Sequence, residues 1–343
     1  MPGGPHVIVE MLGLAALCAA LSYVVNGRLM PLFRRYALAR PNARSSHKVP
    51  TPQGGGAAVM IAFGLGLLIL ILVFGEDALW TWSTAMIVAG ALVLAGLGGL
   101  DDVWSLPVLP RLATQVVAAL LGLGAVFASN VTFLPPSVTL LAASVLLLAL
   151  IWFINLTNFM DGIDGITVAE FIPLCGTLAL LAAMGTLALP AGLLAAALLG
   201  ALAGFAPYNR HVAKLFLGDV GSLPIGFVAG CLLMQLVFAG HLAAALILPL
   251  YYLADATLTL TARLLRGENV TLAHRTHFYQ RATDLGWRVP AITRRIARVN
   301  LALGALAILS VLIGGPAWQV LFLGLACLLT IWLLRDMSRS PAS

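Results

Sequence analysis

Eleven apolar runs alternate with short polar connections along this 343-residue chain, and every lysine and arginine falls on alternate connections. The runs lie near residues 7–26, 55–74, 79–99, 110–128, 137–154, 167–186, 190–207, 221–239, 241–261, 298–314 and 316–334. Each is long enough to cross a bilayer as a helix, and too uniformly apolar for an alternating barrel strand. All nineteen Lys and Arg follow the first, third, seventh, ninth and eleventh runs. One missed or extra span would scatter them across both faces. The positive-inside rule then sets the N-terminus outside and the C-terminus in the cytoplasm.

Composition agrees. Apolar residues make up 61% of the chain and charged residues 9%, where a soluble domain is about a quarter charged. The expectation is an all-α polytopic membrane protein, one embedded domain over residues 1–343, in a bacterial inner membrane. The formal charge of +6 is accounted for by the basic loops, so no nucleic-acid partner is expected. Cys18, Cys175, Cys231 and Cys327 each sit inside an apolar run and read as buried small hydrophobes. The first run lacks a basic leader and a cleavage site, and reads as a retained span.

The acidic residues concentrate where the basic loops are. GGLDDVWSLPVLPR follows the third run and carries Asp101 and Asp102. NLTNFMDGIDGI follows the fifth and carries Asn155, Asn158, Asp161 and Asp164. KLFLGDVGSLPIGF precedes the eighth and carries Asp219, with Ser222 placed to cap the helix. Carboxylates beside apolar helix ends and without basic sequence neighbours need a metal, a cation or a proton. Two amides and two carboxylates at a helix exit suit Mg²⁺, diphosphate or sugar hydroxyls. A fourth element, RLLRGENVTLAHRTHFYQRA, offers His274, Arg275 and His277 as phosphate donors. The first basic loop adds His47 and Lys48 before PTPQGGG. Asp255, inside the ninth run, is paired or functional, and the sequence leaves both open. The loops that gather this chemistry span about 40–56, 100–111, 155–166, 208–222 and 262–297.

GLDD, NLTNFMDGIDG, LGDVGSLPIG and HRTHFYQR, in this order between hydrophobic spans, resemble the polyprenyl-phosphate N-acetylhexosamine-1-phosphate transferases. The resemblance covers residues 40 to 282. His274-Arg275-Thr276-His277 stands where the muramyl-pentapeptide branch carries three consecutive histidines, which is closer to the enzymes that initiate O-antigen or exopolysaccharide repeats. The resemblance implies transfer of sugar-1-phosphate from a UDP-N-acetylhexosamine to undecaprenyl phosphate, with release of UMP. It implies Mg²⁺, with Mn²⁺ as a substitute, held by Asp219. It implies that Asp101 and Asp102 handle the lipid phosphate, Asp101 as a base or second metal contact. Asn155, Asn158, Asp161 and Asp164 would frame nucleotide and diphosphate, Asp164 being grouped with the catalytic residues. His274, Arg275 and His277 would contact diphosphate or sugar, and His47 and Lys48 the nucleotide or lipid phosphate. A homodimer is compatible with such a chain. Two other classes compete: an intramembrane prenyltransferase, which would want D-x-x-x-D motifs, and a transporter, which would want charges near the bilayer midplane.

Overall fold

The computed structural model describes residues 5–39, 50–75, 81–130, 136–269 and 274–341. His47 and Lys48 lie outside the described residues. Ten long apolar helices follow one another: α1 (Pro5–Tyr36), α2 (Gly55–Phe74), α3 (Trp82–Trp104), α4 (Val108–Asn130), α5 (Pro136–Met160), α6 (Ile166–Ala183), α7 (Leu189–Asn209), α8 (Asp219–Phe238), α12 (Val289–Ile313) and α13 (Pro316–Met337). Between α8 and α12 come three shorter helices, α9 (Leu242–Ile247), α10 (Leu250–Leu265) and α11 (Phe278–Asp284). A two-residue antiparallel pair, Leu38–Ala39 with Thr51–Pro52, is the one ribbon among the described residues.

The ninth expected span is therefore broken in two. Pro249 stands at the break, where it supplies no amide hydrogen to the helix ladder. α8 starts at the face that carries Asp219, and α10 ends beside the histidines that line a groove with Arg111. The α9–α10 pair, six and sixteen residues long, thus stands in place of the ninth run and is not among the ten helices long and apolar enough to cross a membrane. Two other boundaries differ from the expectation. α1 continues ten residues past the apolar run, to Tyr36, so Arg28, Arg34 and Arg35 are helical. α12 starts at Val289 rather than 298, which puts Arg294, Arg295 and Arg298 in its first turns. Lys and Arg stems lie along apolar helix surface while their charged ends reach water, so a basic stretch does not end a helix.

α8 is the axis of the bundle, with 89% of its apolar stretch enclosed, against 28% for α1 and α13. It packs against α2, α3, α4 and α5. Very close approach to α3 depends on Gly98, where an added Cβ would fall 2.2 Å from the Asp219 carbonyl oxygen. Small residues that let backbones meet are a general means of membrane helix association. Here they bring the ends of α3, α5 and α8 together at one face.

Candidate active site

The last turn of α3 carries Asp101 and Asp102, which leave the helix in different directions. One oxygen of Asp101 accepts the Leu106 N–H at 2.6 Å, and the other pairs with the Arg111 guanidinium at 3.0 Å. Asp102 accepts the Asp219 and Val220 N–H groups at 2.9 and 3.1 Å. Asp102 therefore caps α8, whose preceding residue Gly218 has no side chain to do so. Asp219, the first residue of α8, receives the Asn158 amide N–H at 2.7 Å. Its other oxygen lies 3.5 Å from Arg111. Arg111 spans Asp101 and Asp219, with one guanidinium nitrogen facing each carboxylate. Ser222, expected as the helix cap, instead accepts a second N–H from Asn158 at 3.0 Å. The GLDD, NLTN and LGDVGS segments thus meet at one point.

The NLTNFMDGIDG segment is divided by the end of α5 at Met160. Asn155 donates to the buried Gln115 at 2.7 Å, and Asn158 reaches Asp219. Asp161 lies in the turn and accepts the Thr167 hydroxyl. Burial raises its pKa to about 6; repulsion from Asp102 and Asp164 adds to this, and the Thr167 bond opposes it. Asp164 points away from Asp219, pairing with His211 at 2.7 Å and accepting the Ala213 N–H at 3.1 Å. It ties the α5–α6 turn to the connection that leads into α8.

The histidine element folds against α10. The His274 and His277 rings are 4.9 Å apart, and His277 stacks on Tyr279. Burial, followed by the neighbouring His277 and Arg263, lowers the His274 pKa to about 4. Arg275 reaches forward to Asp284 at 3.0 Å and to Thr283 at 3.1 Å. Asp255, fully buried on α10, faces His277.

A groove of about 770 Å³ joins these parts. Its lining includes the polar side chains of Arg111, Gln115, Asn155, Asn158, His274 and His277 and the apolar ones of Val108, Leu112, Leu148, Ile151, Leu260 and Leu264. Val108, Leu148 and Leu264 are exposed on the outer surface of the bundle. A molecule with an anionic head and a long apolar tail matches that lining.

Among the described residues, no three His, Cys, Asp or Glu side chains form a ready-made metal cage. The Asp101–Asp219 pair offers two carboxylates instead. That donor set suits Mg²⁺, which takes one or two carboxylates and completes its shell with water and substrate phosphates. Arg111 and Gln115 escaped sequence reasoning. Arg111 counted only toward the charge asymmetry, although it ends the GLDDVWSLPVLPR segment and faces both carboxylates. Gln115, one turn further along α4, carried no motif.

These elements define a polytopic membrane protein with a carboxylate and histidine site at one membrane face, opening into an apolar groove. A glycosyl transferase family 4 model matches residues 84–237, which hold α3 to α8. A phospho-N-acetylmuramoyl-pentapeptide-transferase of Symbiobacterium thermophilum is 33% identical over 242 residues, 62% of this chain and 70% of that protein. A decaprenyl-phosphate N-acetylglucosaminephosphotransferase of Mycolicibacterium smegmatis is 33% identical over 246 residues, 66% of this chain and 60% of its own. A probable undecaprenyl-phosphate N-acetylglucosaminyl 1-phosphate transferase of Bacillus subtilis is 27% identical over 275 residues, 75% and 74% of the two chains. The chain belongs to glycosyl transferase family 4, among the polyprenyl-phosphate hexosamine-1-phosphate transferases. It spans about three fifths of the length of the mycobacterial relatives it matches.

Proposed function

We propose that this protein transfers N-acetylhexosamine-1-phosphate, with N-acetylglucosamine the favoured sugar, from its UDP-linked donor to undecaprenyl phosphate. The products are UMP and a lipid-diphosphate-linked sugar that starts a cell-surface polysaccharide such as O-antigen. The observation that carries this reading is the meeting of Asp101, Asn158 and Asp219 around Arg111, with Arg111 and Asn158 also lining the groove. The printed names of the mycobacterial and Bacillus relatives favour N-acetylglucosamine and a polyprenyl phosphate. The split histidine motif favours a polysaccharide other than peptidoglycan. The positive-inside rule sets the site at the cytoplasmic face of the inner membrane.

Two polyanionic substrates repel each other unless their charge is neutralised. Asp101 and Asp219 would hold Mg²⁺, with Mn²⁺ as a substitute, and the ion when bound polarises the diphosphate and stabilises the UMP leaving group. Asn158 fixes the Asp219 carboxylate, and Asp102 holds the helix turn from which Asp219 projects. Arg111 neutralises outer phosphate oxygens, and His277 contacts the donor sugar. Asp161 and Asp164 shape the turn beneath the donor, Asp164 by anchoring His211. The apolar side chains of the groove take the first prenyl units. The acceptor phosphate is already an anion near neutral pH and needs little help from a base. Its oxygen attacks the β-phosphorus while the bond to the α-phosphate oxygen breaks and UMP leaves with the electron pair. Positioning is the main contribution of the protein.

The test incubates purified protein with undecaprenyl phosphate and tritiated UDP-N-acetylglucosamine, alongside other UDP-N-acetylhexosamines, with Mg²⁺ or EDTA. UMP release and lipid-linked radioactivity that both require Mg²⁺ are expected. No UMP from any donor would refute the reading and favour a transporter.

A further inference from the structure

Asp255 lies on α10, away from the Asp101–Asp219 pair, and is fully buried. A carboxylate in that setting must be compensated, and five donors converge on it. One oxygen faces the His277 Nδ1 at 3.1 Å, the Phe278 N–H at 3.0 Å and the Thr259 hydroxyl at 3.4 Å. The other accepts the Tyr279 N–H and the Tyr251 hydroxyl, both at 3.3 Å. The Phe278 and Tyr279 N–H groups anchor the start of α11 to α10, and the Tyr251 and Thr259 hydroxyls come from α10 itself, one turn to either side. The contact to Nδ1 does something different. A carboxylate oxygen only accepts, so the proton must sit on Nδ1. Nε2 is then the ring nitrogen left for a ligand, and His277 lines the groove. Tyr279 stacks on the ring from one side, at 5.7 Å and nearly parallel, and His274 borders it at 4.9 Å. The ring has little freedom to turn.

We propose that Asp255 is a positioning residue for the transfer: it fixes the tautomer and orientation of His277, so that Nε2 accepts a hydrogen bond from a sugar hydroxyl or amide of the donor. The proposal rests on the transferase reading for the identity of that ligand. The competing arrangement is also built into the same turn. His277 begins α11 in a capping box, in which Gln280 bonds back to the His277 N–H and the ring would accept the Gln280 N–H. In that arrangement Nδ1 carries no proton, Nε2 carries it, and Asp255 is only a helix cap.

Nitrogen NMR of ¹⁵N-histidine-labelled protein separates the two without any turnover. The chain has six histidines, so the His277 resonance is assignable by its loss in His277→Asn. Protonated Nδ1 in the wild type is expected, with a shift toward protonated Nε2 in Asp255→Asn, which keeps the volume and an acceptor for the α11 amides. Turnover of Asp255→Asn should fall about 10- to 100-fold, the usual effect of removing the partner that orients a functional histidine. The double variant Asp255→Asn/His277→Asn should be no slower than His277→Asn alone. A neutral wild-type ring protonated only at Nε2, losses that multiply in the double variant, or wild-type turnover in Asp255→Asn would each overturn the proposal. Absence of activity in the wild type would count against the transferase reading and leave the NMR result standing by itself.

Discussion

Two acidic centres flank the groove, and they are built on opposite electrostatic plans. At the α10–α11 corner, one carboxylate, Asp255, is saturated by five donors. At the α3–α8 corner, two carboxylates, Asp101 and Asp219, share Arg111 as their cation. The first centre is complete with its own hydrogen bonds and has the character of a fixed support. The second sets two carboxylates around a single guanidinium, and under the proposed function it is where the divalent ion and phosphate would bind. A buried acid thus does not reveal its task by burial alone; the number of donors around it does.

Breaking the second centre should have the largest effect. Asp219→Asn removes charge where a cation is required but keeps an oxygen for the Asn158 bond. UMP release should drop by more than about 10³-fold, the scale of several kcal/mol of charge stabilisation, with little change in melting temperature. Near wild-type turnover would remove Asp219 from the cation site. Gly98→Ala tests the same corner through the backbone. A methyl placed 2.2 Å from the Asp219 carbonyl forces α3 and α8 apart. Displacing the aspartates by about 1 Å should cost on the order of 10²-fold in activity, and the overpacking about 1–3 kcal/mol in stability. Gly96→Ala, where the methyl meets nothing within 4 Å, is the control and should behave as wild type in both assays.

Smaller effects sharpen the contrast. Arg111→Gln leaves Asp101 and Asp219 facing each other without their cation. Melting in detergent should reveal a loss of about 1–3 kcal/mol, and Mg²⁺ should restore more stability to the variant than it adds to the wild type. Identical Mg²⁺ responses would mean that arginine and metal do not share the carboxylates. The slightest effect concerns Asp161. Its raised pKa means the folded protein holds a proton that the unfolded chain has released between pH 3.8 and about 6. Stability from this group is therefore full below pH 3.8, falls as pH rises through that window, and is level above it. Asp161→Asn should flatten the corresponding part of the melting-temperature profile; an unchanged slope would assign it to other groups.

Much of this was legible in the sequence. Hydropathy and basic loops located the ten long apolar helices, because membrane spans are set by local composition; the remaining expected run, the ninth, folds as the shorter α9 and α10. The convergence of Asp101, Asn158 and Asp219 also followed, since each sits at the same-face end of its span. The rest depended on partners distant in sequence. Arg111 is an unremarkable loop arginine until α3 and α4 fold back on each other. Asp102 and Asp219 look alike as acids at helix ends, yet Asp102 spends both oxygens on the α8 amides. Asp164 shares a motif with Asp161 and Asn158, but a helix end turns it toward His211. The task of Asp255 waited for a histidine 22 residues later to return to it. Pro249 was visible, but its consequence, a broken helix, needed the backbone.

The central claim is that the α3–α8 corner holds one divalent ion together with the donor diphosphate. Mn²⁺ titration followed by electron paramagnetic resonance, with UDP-N-acetylglucosamine present, addresses it most directly. One bound Mn²⁺ per chain is predicted for the wild type, absent in Asp219→Asn and retained in Asp255→Asn. Equal Mn²⁺ binding by the wild type and Asp219→Asn would contradict the account.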